Sequence, residues 1–278
     1  MTRRWPQSEL AAMTPSPNPT REWNSSEYHR LSQPQVSWGK KVLARLKLRG
    51  DELVLDAGAG TGRLTADLLQ ALPNGRVVAL DVSQNMARSA REYLRPKFGE
   101  KAQVVTADLL DLPFTAAFDG IVSTAAFHWV LDHDRLFRGL FDSLRIGGWL
   151  QAQCGGGPNL ARLKTRMEVL AESPKFAPFL ADFPSPWLYQ NAEAAAVTLQ
   201  RAGFVDVQTS LEAAPTLLDD RRHYFEFVKT VIVRTHLERL PNERLREQYV
   251  SDLADHAAKD NPPFFLDYWR LNLTARKP

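Results

Sequence analysis

From Trp38 onward, short apolar runs alternate with segments whose apolar residues recur three and four positions apart. Leu53-Val54-Leu55 has the continuous apolar character of a strand buried on both faces. Leu64, Leu68, Leu69 and Leu72 repeat at helical spacing, and Pro73 and Gly75 stop that helix. Val77-Val78-Ala79-Leu80 is the next strand. Met86, Ala90, Tyr93 and Leu94 mark the helix after it, expected to end at Pro96. Val104-Val105 and Ile121-Val122 supply a third and a fourth strand. Leu136, Phe137, Leu140, Phe141 and Leu144 form one helical face, closed by Gly147-Gly148. Trp149 to Gln153 is a fifth strand. Strict alternation with short connections predicts a doubly wound α/β fold, a mostly parallel sheet covered on both sides.

After Cys154 the rhythm changes. Gly155-Gly156-Gly157-Pro158 reads as a flexible break, and residues 159–189 are rich in aromatics and proline. Asn191 is placed to cap a helix that ends at Gly203, and Phe204 to Leu211 reads as a sixth strand. Residues 217–259 read as two helices broken near Pro241. Phe265 to Ala275 reads as a last strand, with Phe265, Trp269, Leu271 and Leu273 on one face. The layout is a disordered tail at 1–20, punctuated by four prolines, and one domain at 21–278. Its core segments are 39–154, 191–211 and 264–278, and helical cap insertions occupy 155–190 and 215–263. The insertions flank the sixth strand and are expected to form a cap over the carboxyl edge of the sheet, where open α/β sheets bind ligands. Segment 155–189 is expected to act as a lid hinged on its glycines.

Composition narrows the partners. Of 278 residues 44% are hydrophobic and 24% charged, ordinary values for a globular protein. Lys and Arg number 35 against 32 Asp and Glu, and the excess is spread along the chain, so nucleic acid is not an expected partner. No apolar run is long enough to span a bilayer, and no apolar stretch follows the two N-terminal arginines. A cytoplasmic protein is therefore expected. The lone Cys154 excludes an intramolecular disulfide and a metal site built on cysteine pairs.

The most informative segment is Asp56-Ala57-Gly58-Ala59-Gly60-Thr61-Gly62, in which a strand runs into a glycine loop and a helix begins. Glycines allow a sharp turn and close approach of a ligand, and the helix N-terminus favours a negative group. A dinucleotide loop needs G-x-G-x-x-G, whereas here the sixth position is Arg63. That tilts the choice away from a nicotinamide-dependent oxidoreductase and towards S-adenosylmethionine. Asp81 ends the second strand, where a carboxylate accepts ribose hydroxyls, or else merely caps a helix with Val82 and Ser83. Asp108 ends the third, placed to accept an adenine amino group while Leu109 and Met86 pack on the ring.

These residues, with Phe118-Asp119-Gly120-Ile121-Val122-Ser123, resemble the successive motifs of the class I S-adenosylmethionine-dependent methyltransferases. Trp23-Asn24, Tyr28, Ala125-Ala126-Phe127-His128-Trp129-Val130 and Leu271 to Lys277 are similar to the trans-aconitate methyltransferase group. The resemblance covers residues 22–278 and implies strand order 3-2-1-4-5-7-6 with strand seven antiparallel. It implies a cofactor site of Tyr28, Trp38, Asp56, Gly58, Ala59, Gly60, Gly62, Asp81, Val82, Met86, Asp108, Leu109 and Ser123. Tyr28 and Trp38 would belong to an N-terminal flap. It also favours a small-molecule acceptor, a carboxylic acid in particular, beside His128 and Trp129. His128 reads as a general base, a carboxylate ligand or a structural residue. Arg162, Arg166, Arg221 and Arg222 read as carboxylate clamps or as solvated basic faces. His133 with Asp132 and Asp134 reads as a helix start, and no metal is expected. A non-catalytic adenosylmethionine-binding protein is the remaining alternative.

Overall fold

The computed structural model describes residues 22–278, so the expected tail at 1–20 lies outside the described residues. Two helices precede the sheet: α1 (Ser25–Leu31) and α2 (Gln33–Leu43). Asn24 caps the first by accepting the Glu27 N–H. Pro34 lies in the first turn of the second, where its missing N–H costs nothing. The core then alternates as β1 (Leu53–Ala57), α3 (Arg63–Gln70), β2 (Arg76–Asp81), α4 (Gln84–Phe98), β3 (Ala102–Thr106), β4 (Phe118–Thr124), α5 (His133–Ser143) and β5 (Leu144–Gly155).

Beyond β5 come α6 (Ala161–Ala171), α7 (Ala177–Leu180), α8 (Ala192–Arg201), β6 (Val205–Ala213), β7 (Thr216–Leu217) and α9 (Arg221–Phe227). A π turn, Val228–Ile232, continues α9 into α10 (Arg234–Leu237), followed by α11 (Glu243–Ala257), β8 (Phe265–Leu266) and β9 (Trp269–Arg276). The seven-stranded sheet has the order β3-β2-β1-β4-β5-β9-β6. Strands β1 to β5 pair in parallel, and β9 is inserted antiparallel between β5 and β6. With β9 counted as the seventh strand, this is the expected order.

One buried cluster covers a face of the sheet beneath α5 and α8, and a second packs α2, α3 and α4 on the other. A third joins the cap helices to Leu31 and Trp38 of the N-terminal pair. Fully buried Phe137, Phe176 and Phe227 each contribute about 1.5–3 kcal/mol of burial. Among the described residues, no helix is long and apolar enough to cross a membrane.

Several element boundaries differ from the sequence expectation. Helix α4 runs through Pro96 to Phe98 and ends at Gly99, whose φ is +53°. Pro96 is exposed in the last turn, and so is Glu92, whose carbonyl loses the i+4 N–H to the proline and is left to water. Helix α5 stops at Ser143, before the glycines. Gly147 and Gly148 lie instead in the opening of β5, where the register with β4 shifts between Phe118 and Gly120. Phe265 is not in the last strand of the main sheet, because Phe265–Leu266 turns away to pair with Thr216–Leu217.

The glycine triplet after Cys154 is a packing seam. A Cβ on Gly155 would lie 2.8 Å from the Tyr189 ring, and one on Gly156 2.5 Å from Leu271. The Gly157 N–H donates to the Gln190 carbonyl at 2.8 Å. Close approach of neighbouring chain, rather than hinge freedom, explains these glycines.

Candidate active site

A cavity of about 660 Å³ opens over the carboxyl ends of β1, β2 and β4 and the residues that follow β3. The glycine loop forms one wall. Gly58 (φ +86°) meets Ala126, whose Cβ would be 2.3 Å from an added methyl. Gly60 (φ +56°) has open space where a Cβ would project. The Gly58 and Ala59 N–H groups both donate to the Leu80 carbonyl, tying the loop to β2.

Asp81 clamps the same loop. Its Oδ2 accepts the Gly60 N–H at 2.8 Å and its Oδ1 the Ser83 N–H at 2.9 Å. Burial pushes its carboxyl up to about 6, against those two N–H groups. Val82, Met86, Asp108 and Leu109 complete this wall. Asp108 accepts the Leu110 N–H at 2.9 Å, which turns the chain back over the cavity.

Asp56, Ala59, Gly62 and Ser123 do not reach the cavity wall. They build the loop from beneath. Asp56 is 1% exposed and accepts the Thr65 hydroxyl at 2.6 Å, and burial raises its carboxyl to about 7. Gly62 (φ +82°) packs on Leu94. The Ser123 hydroxyl donates to the Ala57 carbonyl at 2.6 Å and latches β4 to β1.

The N-terminal helices roof the cavity. Glu22 accepts the N–H groups of Gln84 and Asn85 and the Ser83 hydroxyl, at the positive end of α4. Arg63, the residue that breaks the dinucleotide pattern, donates through Nε to His29 Nε2 at 3.1 Å. His29 then donates from Nδ1 to the Thr61 hydroxyl at 3.0 Å, so α1 is stitched to the glycine loop. Tyr28 and Trp38 both line the cavity, joined by Trp23 and Gln35. Burial, reinforced by the charge of Asp81, pushes the Tyr28 phenol up to about 12.

The half of the cavity away from β2 is set by the chain after β4. A 3₁₀ turn, Phe127–Trp129, presents His128 and Trp129. His133 holds that turn: its Nε2 donates to the Phe127 carbonyl at 3.0 Å, and its Nδ1 meets the Gln190 amide at 2.8 Å. Asp132 caps α5 by accepting the Arg135 N–H. His128 is 8% exposed, and its Nδ1 accepts the Gly155 N–H at 3.3 Å. In the neutral ring the proton is therefore on Nε2. Trp129 meets Trp23 and Trp187 edge to face, and Trp187 stacks on Tyr189.

Sequence reasoning missed Arg270, Tyr268, Tyr189, Asn159, Gln35 and the π-turn residues Val231 and Ile232, all on the cavity wall. The arginines it nominated lie elsewhere. Arg166 pairs with Asp260, Arg221 with Asp255, and Arg162 lies over the Phe265 ring. Among the described residues no group of three or more His, Cys, Asp or Glu could hold a metal ion.

A sheet in this order, a glycine loop after β1 and acids after β2 and β3 together define a class I S-adenosylmethionine-dependent methyltransferase. The residues fit that cofactor: backbone open at Gly60, acids at two strand ends, and apolar Met86 and Leu109 between them. A family model described as a methyltransferase domain matches residues 54–148. The chain is 30% identical over 261 residues to trans-aconitate 2-methyltransferase of Deinococcus radiodurans, covering 92% of each chain. It is 26% identical to an uncharacterized methyltransferase of Schizosaccharomyces pombe, covering 92% of this chain and 98% of the other. The chain belongs to the same family as these proteins and is an S-adenosylmethionine-dependent methyltransferase.

Solved structures agree on the fold. Phosphoethanolamine N-methyltransferase 2 of Haemonchus contortus, in complex with S-adenosylhomocysteine, has a TM-score of 0.61 at 17% identity. That match covers 91% of this chain and 57% of the other. The [4+2]-cyclase SpnF matches with a TM-score of 0.58 at 19% identity, covering 87% and 80%. One fold thus carries different reactions, and the acceptor must be argued from the site.

Proposed function

We propose that this methyltransferase esterifies a carboxylate of a small organic acid. Gly58, Gly60, Asp81, Val82, Met86, Asp108 and Leu109, roofed by Tyr28 and Trp38, would hold S-adenosylmethionine, which supplies an electrophilic methyl group. Asp56, Ala59, Gly62 and Ser123 shape that site from below. The chain's own task is to hold the acceptor oxygen in line and dry. Trp23, Trp129 and Trp187 provide an apolar roof for it.

The observation that carries the reading is the Gly155 N–H donated into His128 Nδ1. It occupies the nitrogen that would otherwise take a proton and leaves Nε2 as a donor. His128 is thereby suited to orienting an anionic oxygen and poorly suited to deprotonating a hydroxyl. A carboxylate needs no base, being ionised near neutral pH, whereas a phenol or alcohol does. The names of the Deinococcus radiodurans and Variovorax paradoxus relatives, both trans-aconitate 2-methyltransferases, support the same class of acceptor. A soluble small acid also accords with a cytoplasmic enzyme that has no nucleic-acid partner.

The test is a panel of small acids, phenols and amines scored by release of S-adenosylhomocysteine, with His128→Gln as the variant. Turnover of acids, and a variant that keeps most of the maximal rate, is the expected result. Turnover of phenols alone, or a fall of roughly 10²–10⁴-fold in the variant with cofactor binding intact, would make His128 a base and overturn the proposal.

A further inference from the structure

The cavity holds a charge for which no described residue supplies a counter-ion. Arg270 on β9 is 2% exposed, and its Nε and Nη2 are buried without a hydrogen-bond partner. No ion pair from a described residue reaches it. Arg166 and Arg234, two largely buried arginines of the cap, are by contrast paired with Asp260 and Glu238. The Arg270 guanidinium lies 4.2 Å from the Trp38 ring centroid, and its other neighbours are Tyr28, Tyr189, Tyr268 and Cys154. Burial raises the pKa of all four, so they stay neutral at physiological pH and cannot neutralise it. Burying a guanidinium without an anion is expensive, so the arrangement calls for an anionic ligand.

Its position says which anion. Along the sheet edge the order is β1, β4, β5, β9. The glycine loop follows β1, and His128 follows β4. Gly155 ends β5, donates to His128 and is register partner to Arg270. Gly155 carries no side chain, and the space above it is taken by Tyr189 and Asn159, which flank Arg270. Three strand spacings, roughly 14 Å, separate β1 from β9. Arg270 therefore lies beyond His128 as seen from the glycine loop, beside Trp38 and Tyr28 of the roof but away from the strand ends of β1 to β3 that form the cofactor wall.

We infer that Arg270 anchors a second, non-reacting carboxylate of the acceptor, so that the enzyme selects di- and tricarboxylic acids over monocarboxylic acids. This rests on the carboxylic-acid reading above. His128 orients the reacting carboxylate, and Arg270 fixes the far end of the same molecule. A planar guanidinium with two inward N–H donors suits a carboxylate in bidentate contact.

The experiment uses the full chain and three pairs of probes: trans-aconitate with crotonate, glutarate with butyrate, and phthalate with benzoate. Binding to the S-adenosylhomocysteine-loaded protein is measured by calorimetry, alongside KM and kcat. The wild type should prefer at least one polycarboxylate to its one-carboxylate counterpart. Arg270→Gln should weaken that polycarboxylate about 30-fold or more while leaving the monocarboxylate and S-adenosylhomocysteine within about threefold. Arg270→Lys should recover part of the loss. The melting temperature of ligand-free Arg270→Met should equal or exceed that of the wild type, because an unpaired buried charge is removed.

Equal losses for both members of a pair would make Arg270 a partner of the reacting carboxylate or a structural residue, and would overturn the inference. A parallel loss of S-adenosylhomocysteine affinity would assign the guanidinium to the cofactor and overturn it too, as would a wild type with no preference for any polycarboxylate. Failure of the carboxylic-acid reading looks different: the wild type would turn over phenols or amines and none of the six acids.

Discussion

At the scale of single residues, the acids at the strand ends divide into two kinds. Asp81 faces the cavity and holds the glycine loop through the Gly60 N–H. Asp81→Ala should weaken S-adenosylhomocysteine by about 1.5–3 kcal/mol in calorimetry, the loss expected when charge-assisted hydrogen bonds are removed. An unchanged affinity would reduce Asp81 to a helix-capping role. Asp56 lies under the loop and out of the cavity. Burial, opposed by the Thr65 hydroxyl and reinforced by the charge of Asp81, raises its carboxyl from 3.8 to about 7. Between those values the folded chain holds a proton that the unfolded chain has lost. This group's contribution to stability therefore falls as pH rises from about 4 to about 7, then stays level. Asp56→Asn keeps an acceptor for Thr65 and removes the titration. The variant should melt above the wild type at pH 8, and the gap should close towards pH 4. A gap independent of pH would refute this account.

Asp81 and Asp108 were legible in the sequence because a strand end at the carboxyl edge is a fixed address in an open α/β sheet. Arg270 was not, and the reason is physical. Alternation in Trp269-Arg270-Leu271-Asn272-Leu273 reads as one apolar face and one solvated face. In β9 both edges are paired, with β5 and β6, and both faces are covered as well, so Arg270 and Asn272 are buried like the leucines beside them. Where a strand sits in a sheet is a tertiary fact that alternation does not carry.

At the scale of elements, short apolar runs located the strands well because every position of β1, and the four central positions of β2, are buried. Element ends were less legible, since Pro96 in an exposed turn and Gly147-Gly148 at a bulge look locally like stops. The glycine triplet is the instructive case: hinge and seam share one composition, and only the neighbours Tyr189, Leu271 and Gln190 distinguish them. Segment 155–190 is fastened by backbone bonds from Leu188 to His128 and from Leu160 to Asp267, and its aromatics belong to the cap core. Residues 22–45 meet the rest of the chain through side chains, among them Glu22, His29 and Arg45 and the packed Leu31, Trp38 and Val42. Cofactor access is therefore expected through the N-terminal pair. Hydrogen exchange should show residues 22–43 gaining protection with S-adenosylhomocysteine, while 155–189 is protected in both states. Exchange that slows only in 155–189 would restore the hinged lid.

At the scale of the whole molecule, the two halves of the cavity have different origins. The cofactor half comes from consecutive strand ends between Ala57 and Leu110, and a single stretch of sequence displays it. The other half gathers His128, Asn159, Tyr189, Ile232 and Arg270 from five separate segments. Their spacing in the chain carries no trace of the meeting, so the class of enzyme was readable and the acceptor wall was not.

The inserted antiparallel strand also sets a timetable. Sheet strands β1 to β5 can associate once residue 155 has been made, but β9 begins 114 residues later. At cellular synthesis speeds of about 5–20 residues per second, that is a delay of roughly 6 to 23 s. Throughout it the outer edge of β5 has no partner in the growing chain, which is the condition under which strands recruit foreign ones. Gln151 and Gln153, which later bond to β9 residues, place polar groups on that waiting strand. The residue that would choose the substrate is thus translated long after the cofactor wall, and the nascent protein can shape a site for the methyl donor before it has Arg270 to sort the acceptors.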